Sequence, residues 1–207
     1  MDSTTQLNLI KKVKAIADTG LVYAQDPYDR DRYTELREIG TQLLASVANT
    51  PLSAFDNFFM PVEDYPTAKV DVRGFVLNKD NQVLMAKESV DQKWTIPGGW
   101  ADVGFTPSEV VVKEIEEETG IQTEVVRLLA IYDKRCHPHP PQPFYIYKLI
   151  FLCKEVGGSL EAGFDMKGAQ FFNIDELPEL SEDRILKSQL EHLYTLVKDN
   201  NLEVHVD

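Results

Sequence analysis

The spacing of apolar side chains along this chain changes near Met60-Pro61. Before that point the period is helical. Leu9, Val13, Ile16 and Ala17 fall at i, i+4, i+7 and i+8, and Gly20 ends the run. The pattern predicts a second helix from Asp26-Pro27, with Asp26 as cap and Tyr33, Leu36, Ile39, Leu43 and Val47 as its apolar stripe. A third, short helix starts at Thr50-Pro51 and carries Leu52, Phe55, Phe58 and Phe59. Pro61 and Pro66 bracket an acidic linker. After Lys69 the period becomes two. Val70, Val72 and Phe75 to Leu77 read as a strand, Lys79-Asp80-Asn81 as a turn, and Val83 to Met85 as the returning strand. Trp94 to Ile96 is a short strand that runs into a Pro97-Gly98-Gly99 turn. Further strands are predicted over Val125 to Tyr132, Phe144 to Cys153 and Ala169 to Phe172. A last helix, capped near Ser181, carries Ile185, Leu186, Leu190, Leu193 and Val197.

Between the strands lies one further helix, with clear signals at both ends. Thr106 is its N-cap, Pro107 its first residue, Glu109 completes a capping box, and Gly120 stops it. Glu114, Glu116, Glu117 and Glu118 crowd its last turn or so. The negative end of the helix dipole penalises each carboxylate by roughly 0.3–1 kcal/mol at an exposed site. Glu114 repels Glu117 and Glu118 as i,i+3 and i,i+4 neighbours, and the three share one face. A hard divalent cation turns this arrangement into a site, because magnesium takes oxygen ligands.

The chain has 207 residues, 43% hydrophobic, enough for one packed domain with a small extension. Its net charge of −13 gives no general attraction to nucleic-acid backbones. A phosphorylated substrate therefore needs metal ions or local basic residues to offset repulsion. The helical segment up to residue 62 holds eight acids against six bases, which also argues against DNA binding. Cys136 and Cys153 form no CxxC pair, the first residues have no apolar core of a signal peptide, and no apolar run reaches the ~20 residues of a membrane span. The expectation is a soluble cytoplasmic protein with no membrane partner.

The stretch from Gly99 to Ile121 resembles the Nudix box, G-x5-E-x7-R-E-U-x-E-E-x-G-U, where U is aliphatic. Gly99, Glu114, Ile115, Glu117, Glu118, Gly120 and Ile121 match it. Phe105 and Lys113 stand where the family has glutamate and arginine, a pair that commonly braces the loop against the helix. Lys113 can instead pair with Glu109, four residues earlier. The helical extension, the run Trp100 to Gly104 and the loop His137-Pro138-His139-Pro140-Pro141 look like a bacterial subgroup that includes CDP-choline and ADP-ribose pyrophosphatases.

The resemblance implies an α+β fold, an α/β/α sandwich with a mixed sheet over residues 65–207. A small all-helical region over residues 1–64 precedes it and serves dimerisation. It implies magnesium, with manganese as a substitute, bound by Glu114, Glu117, Glu118 and the Gly99 carbonyl. Glu117 or Glu118 polarises the attacking water, or Asp165 from a later loop serves as base. Arg73, Trp100, Asp102, His139 and Tyr145 are candidate substrate contacts. Each has a plainer reading: a salt bridge for Arg73, packing for Trp94, Trp100, Tyr145 and Tyr147, a surface loop for His137 and His139, and a turn for Asp165. The implied reaction releases a nucleoside monophosphate from a nucleoside diphosphate linked to another group, in a homodimer. The alternatives are a nucleotide sensor of the same fold that does not cleave, or a hydrolase of nucleoside triphosphates or RNA ends.

Overall fold

The structure is a computed structural model that describes residues 3–48, 68–140 and 146–207. The chain separates into two compact units, Met1–Pro66 and Thr67–Asp207. Among the described residues no helix is long and apolar enough to cross a membrane.

The first unit contains helices α1 (Ser3–Tyr23) and α2 (Pro27–Ala48). The Tyr28 amide donates to Asp26 Oδ1 at 2.7 Å, so Asp26 caps α2 as its sequence predicts. Gly20, predicted to stop α1, lies inside it. A Cβ at Gly20 would stand 2.4 Å from the Tyr33 ring, so its role is close approach between the helices. The buried seam of the pair is Ile10, Ala17, Gly40, Leu44 and Ala45. The predicted α2 stripe is therefore rotated: Ile39 and Leu43 are 43% and 47% exposed. Small residues let the two backbones meet, and a reading that weighs large apolar side chains misses such a seam. The third helix predicted from Thr50 to Phe59 lies outside the described residues.

The second unit is built on two sheets. Its elements are β1 (Lys69–Val76), β2 (Val83–Glu88), β3 (Trp94–Thr95), β4 (Gly98–Trp100), α3 (Pro107–Thr119), β5 (Ile121–Asp133), β6 (Ile146–Gly158), β7 (Met166–Phe172), α4 (Lys187–Lys198) and β8 (His205–Val206). The strand orders are β4-β1-β6-β5-β8 and β3-β2-β7. The first sheet is mixed, with β1 parallel to β6 and antiparallel to β4. The fold is the expected α+β sandwich.

Three local expectations are corrected. The returning strand β2 does not lie along β1. After a single Leu77–Val83 bridge it passes to the second sheet. Gly98 and Gly99 are not a turn but the start of β4, opposite Arg73 and Val72. Ser181 does not cap α4. Its amide donates to Trp94 O and its hydroxyl to Asp91, while Gln189 Oε1 accepts from the Leu186 amide at the helix start.

Alternation along β1 separates two cores. Val72 and Val76 pack with Val110, Val111 and Ile115 of α3. Phe75 packs with Ile150, Ile185, Leu190 and Leu193 on the α4 side. Asp71 and Arg73 share the face of Phe75, since side chains two apart on a strand point the same way. Two charged residues thus enter the protein on a core-facing side and require a polar environment there.

Candidate active site

The polar environment is a cleft of about 440 Å³. β1 supplies Asp71 and Arg73, β4 supplies Gly98 to Trp100, and α3 supplies Glu114 and Glu118. Glu88 comes from the end of β2, Lys148 from β6, Lys134 from the turn after β5, Asp165 from the loop before β7, and Asp183 and Arg184 from the turn before α4.

The box helix is built as its sequence dictates. Thr106 accepts from the Glu109 amide while Glu109 accepts from the Thr106 amide, at 3.3 and 2.8 Å. Gly120 adopts φ 71° and its amide bonds Glu116 O. The loop before β7 closes the same end, with Glu161 and Gly163 amides on Thr119 O and Glu118 O at 2.9 and 3.0 Å. This contact fixes the loop that carries Asp165.

Glu118 is 6% exposed, and its Oε2 accepts from the Gly98 amide at 3.1 Å. Burial pushes its carboxyl up to about 8, against the pull of Arg73 and the Gly98 hydrogen bond. Burial also raises Glu114. Gly98 adopts φ 143°, and any Cβ there would strike Val72 O at 2.1 Å. A Cβ on Gly99 would meet Glu114 Oε2 at 2.9 Å, so the absence of a side chain leaves room between the glycine and the carboxylate. The third acid stands apart. Glu117 is exposed, pairs with Lys113 at 3.5 Å, and lines a shallower groove of about 650 Å³ on the outer face of α3. Among the described residues no three His, Cys, Asp or Glu side chains are placed so that they could together hold a metal ion. A cation held by all three glutamates requires Glu117 to turn inward.

Asp71 ties the cationic side together. Its carboxylate accepts from Arg73 Nε at 3.0 Å and from Lys148 Nζ, and all three residues are buried. Burial disfavours the Asp71 carboxylate, but these two cations hold it below the usual range. Burial brings Lys148 down to about 8. Lys134 donates to Asp183 O at 2.6 Å, and Arg184 pairs with Glu88 at 2.6 Å. The lining holds the acids Asp71, Glu88, Glu114, Glu118, Asp165 and Asp183 against the bases Arg73, Lys134, Lys148 and Arg184. Six acids against four bases leave a deficit of positive charge for any diphosphate that enters.

The structure gathers some of the expected site residues and not others. Gly99, Glu114, Glu118, Asp165, Arg73 and Trp100 line the cleft. Glu117 and Asp102 do not. Asp102 reaches Lys113 at 3.4 Å instead. His139 is turned to Glu182 O, 2.5 Å from its Nδ1, and burial lowers its pKa to about 4. His137 bonds Asp207 at 2.9 Å. Tyr145 lies outside the described residues. Trp94 packs edge-on against Phe172 in the core. The plainer reading of Arg73, a salt bridge with Asp71 or a helix acid, is met by Asp71, while sequence reasoning missed Glu88, Lys134, Lys148, Asp183 and Arg184. Lys148 carried a signal: a lone lysine inside the apolar run Ile146 to Cys153 is seldom buried unless paired.

The Phe105–Lys113 replacement forms its own contact. Lys113 Nζ lies 5.8 Å from the centre of the Phe105 ring and also reaches Asp102 and Glu117. Glu109, expected to pair with Lys113, is engaged in the capping box.

Comparison with known proteins agrees with this geometry. Residues 67–193 match the NUDIX domain model, and residues 4–59 match a model described as a UDP-X-like, N-terminal oligomerisation domain. A Bacillus subtilis (strain 168) protein, YjhB, which carries a provisional ADP-ribose pyrophosphatase name, is 40% identical over 94% of this chain and 93% of its own. An ADP-ribose pyrophosphatase of Methanocaldococcus jannaschii is 34% identical over 61% of this chain and 74% of its own. Among solved structures, a UDP-X diphosphatase superposes over 100% of both chains, with a TM-score of 0.67 and 33% identity.

Proposed function

Since the chain belongs to the Nudix hydrolase family, we propose that it hydrolyses the pyrophosphate bond of a nucleoside diphosphate linked to another group and releases a nucleoside monophosphate. ADP-ribose is the first candidate and UDP-linked compounds follow, from the names of the relatives, and CDP-choline stays a candidate from the sequence resemblance alone. The observation that carries the reading is the buried Glu118 beside Glu114, bonded to the Gly98 amide, in a cleft short of positive charge.

Glu114, Glu118 and the Gly99 carbonyl suit magnesium, and Glu117 joins them if it turns inward. Bound there, magnesium or manganese supplies charge neutralisation of the diphosphate and a lowered pKa for a bound water. The chain's own groups do the rest. Arg73 and Lys148, oriented by Asp71, place positive charge on the cleft floor. Glu118 is held next to the point of attack by the Gly98 amide and exchanges a proton there. Asp165, on the loop pinned to the end of α3, stands on the same cleft and is the alternative base. Trp100, 42% exposed at the lining, offers a stacking face to the nucleoside or the linked group. Asp102 and His139 remain proposed contacts that would have to turn toward the cleft, and Tyr145, outside the described residues, remains a proposed contact as well.

Residues 1–64 are proposed to pair two copies of the chain ahead of the hydrolase domain over residues 65–207. Exposed Leu9, Ile16, Ile39 and Leu43 on the α1–α2 pair support this. The deciding experiment is a screen of ADP-ribose, CDP-choline, UDP-sugars and nucleoside triphosphates with magnesium, reading released monophosphate and phosphate. Turnover of triphosphates alone, or of nothing, would overturn the proposal.

A further inference from the structure

Every cation of the cleft already has a partner, and the partnerships differ in how easily a substrate could break them. Arg73 and Lys148 share Asp71, and their side chains are 7% and 2% exposed. Lys134 is 7% exposed and donates to a backbone carbonyl. Arg184 is the most accessible of the four, with its side chain 26% exposed.

Its partner is unusual in placement. Glu88 ends β2 at a register shift between Lys87 and Glu88, where the strand faces Met166, the residue after Asp165. The extra residue is Lys167, so the bulge lies on β7 just after Asp165, and bulges of this kind are over-represented beside active sites. Glu88 is 7% exposed and lines the cleft with Glu118 and Arg73. Its Oε1 receives Arg184 Nε at 2.6 Å. The Arg184 guanidinium is anchored separately at Nη1, which donates to Ser181 Oγ at 2.9 Å and lies 3.5 Å from Asp91 Oδ2. The Ser181 hydroxyl in turn donates to Asp91. The guanidinium is thus held at one edge by a hydroxyl and at another by a carboxylate placed inside a cleft rich in acids.

We propose that Glu88 and Arg184 are an exchange pair, in which Arg184 leaves Glu88 for the entering diphosphate while Ser181 keeps its position. The inference rests on the diphosphate reading of this cleft. A guanidinium matches two phosphate oxygens with parallel N–H bonds, and a diphosphate offers more acceptors than one carboxylate. Glu88 serves as the placeholder that keeps Arg184 extended into the cleft and competes with the substrate for it. Arg184 is a specificity residue for the diphosphate, and Glu88 a positioning residue that acts through it.

The test separates this from a plain structural salt bridge. Arg184→Ala should raise KM on the order of tenfold or more, and Arg184→Lys should raise it less, because lysine keeps the charge and loses the fork. Glu88→Gln keeps shape and removes the competing charge, so KM should fall severalfold. Calorimetric titration with ADP in magnesium should give the same opposite signs for affinity. KM shifts of one sign for both partners, or no shift in any variant, would overturn the exchange. Arg184→Lys and Glu88→Gln keep the decision available if the alanine variant does not fold. A wild-type chain that neither cleaves a diphosphate-linked nucleoside nor binds ADP overturns the proposed function. One that does both while the variants shift together overturns the exchange alone.

Discussion

The Gly98 amide donates to Glu118 Oε2 at 3.1 Å, across the 20 residues from the start of β4 to the end of α3. This bond joins the two ends of the glutamate motif and makes Glu118 the best-positioned acid of the cleft. Glu118→Gln keeps the size of the side chain and removes the charge. The expected loss of turnover under saturating magnesium is on the order of 10²-fold or more. Wild-type turnover in that variant would remove Glu118 from the site.

Without metal, the same residue makes the fold pH-sensitive. Its folded carboxyl is raised to about 8 by burial, from 4.5 when unfolded. The folded state therefore holds the proton where the unfolded chain has lost it. The stabilisation is complete below about pH 4.5 and is lost as pH rises through about 8. In chelator, Tm should fall over that window more steeply for wild type than for Glu118→Gln. Magnesium should stabilise wild type most at the alkaline end, where the carboxylate is charged, and should stabilise the variant less. Parallel Tm profiles for the two proteins would count against this account.

Lys113 over the Phe105 ring takes the place of the glutamate–arginine brace usual at these two positions. Lys113 is 38% exposed, so its contacts are worth little individually. Phe105→Ala and Lys113→Ala should each cost about 0.5–1 kcal/mol, with a coupling of about 0.5 kcal/mol in a double-mutant cycle. Independent, additive losses would show that the cation–π contact is not the brace.

How much of the site was readable follows from where its residues sit in the chain. Glu114 and Glu118 were legible because one helix with fixed spacing presents them, and its caps marked both ends. Glu117 has the same spacing logic, but its side chain follows Lys113 to the outer groove, a competition that helical phase does not decide. Arg184, Lys134 and Glu88 come from two turns and the end of a strand, and their convergence is a property of the tertiary fold alone. The switch of period after Lys69 marked where the strands begin, and the sandwich itself was implied by the resemblance. β8, two residues long, has no period to detect, and β2 carried no mark of which sheet it joins. The four histidines illustrate the same limit. His137 and His139 suggested only a loop, whereas the structure brings His137, His192 and His205 around Tyr132, with Asp207 bonding His137 and His205.

The helical unit leads to a prediction about assembly. Its buried seam uses small residues, and that choice leaves larger apolar side chains outside: Leu9 and Ile16 of α1 are 49% and 51% exposed, close to the values for Ile39 and Leu43 of α2. Two helices cannot hide this surface between themselves, and a second copy of the chain would cover it. The expectation is a dimer by light scattering at micromolar concentration. Ile39→Glu and Leu43→Glu should each weaken it, because a desolvated carboxylate without a partner costs several kcal/mol. Both positions are exposed in the single chain, so neither change should disturb the fold, and circular dichroism should match wild type. A monomeric wild type, or a dimer unaffected by both substitutions together, would assign the exposed stripe another role.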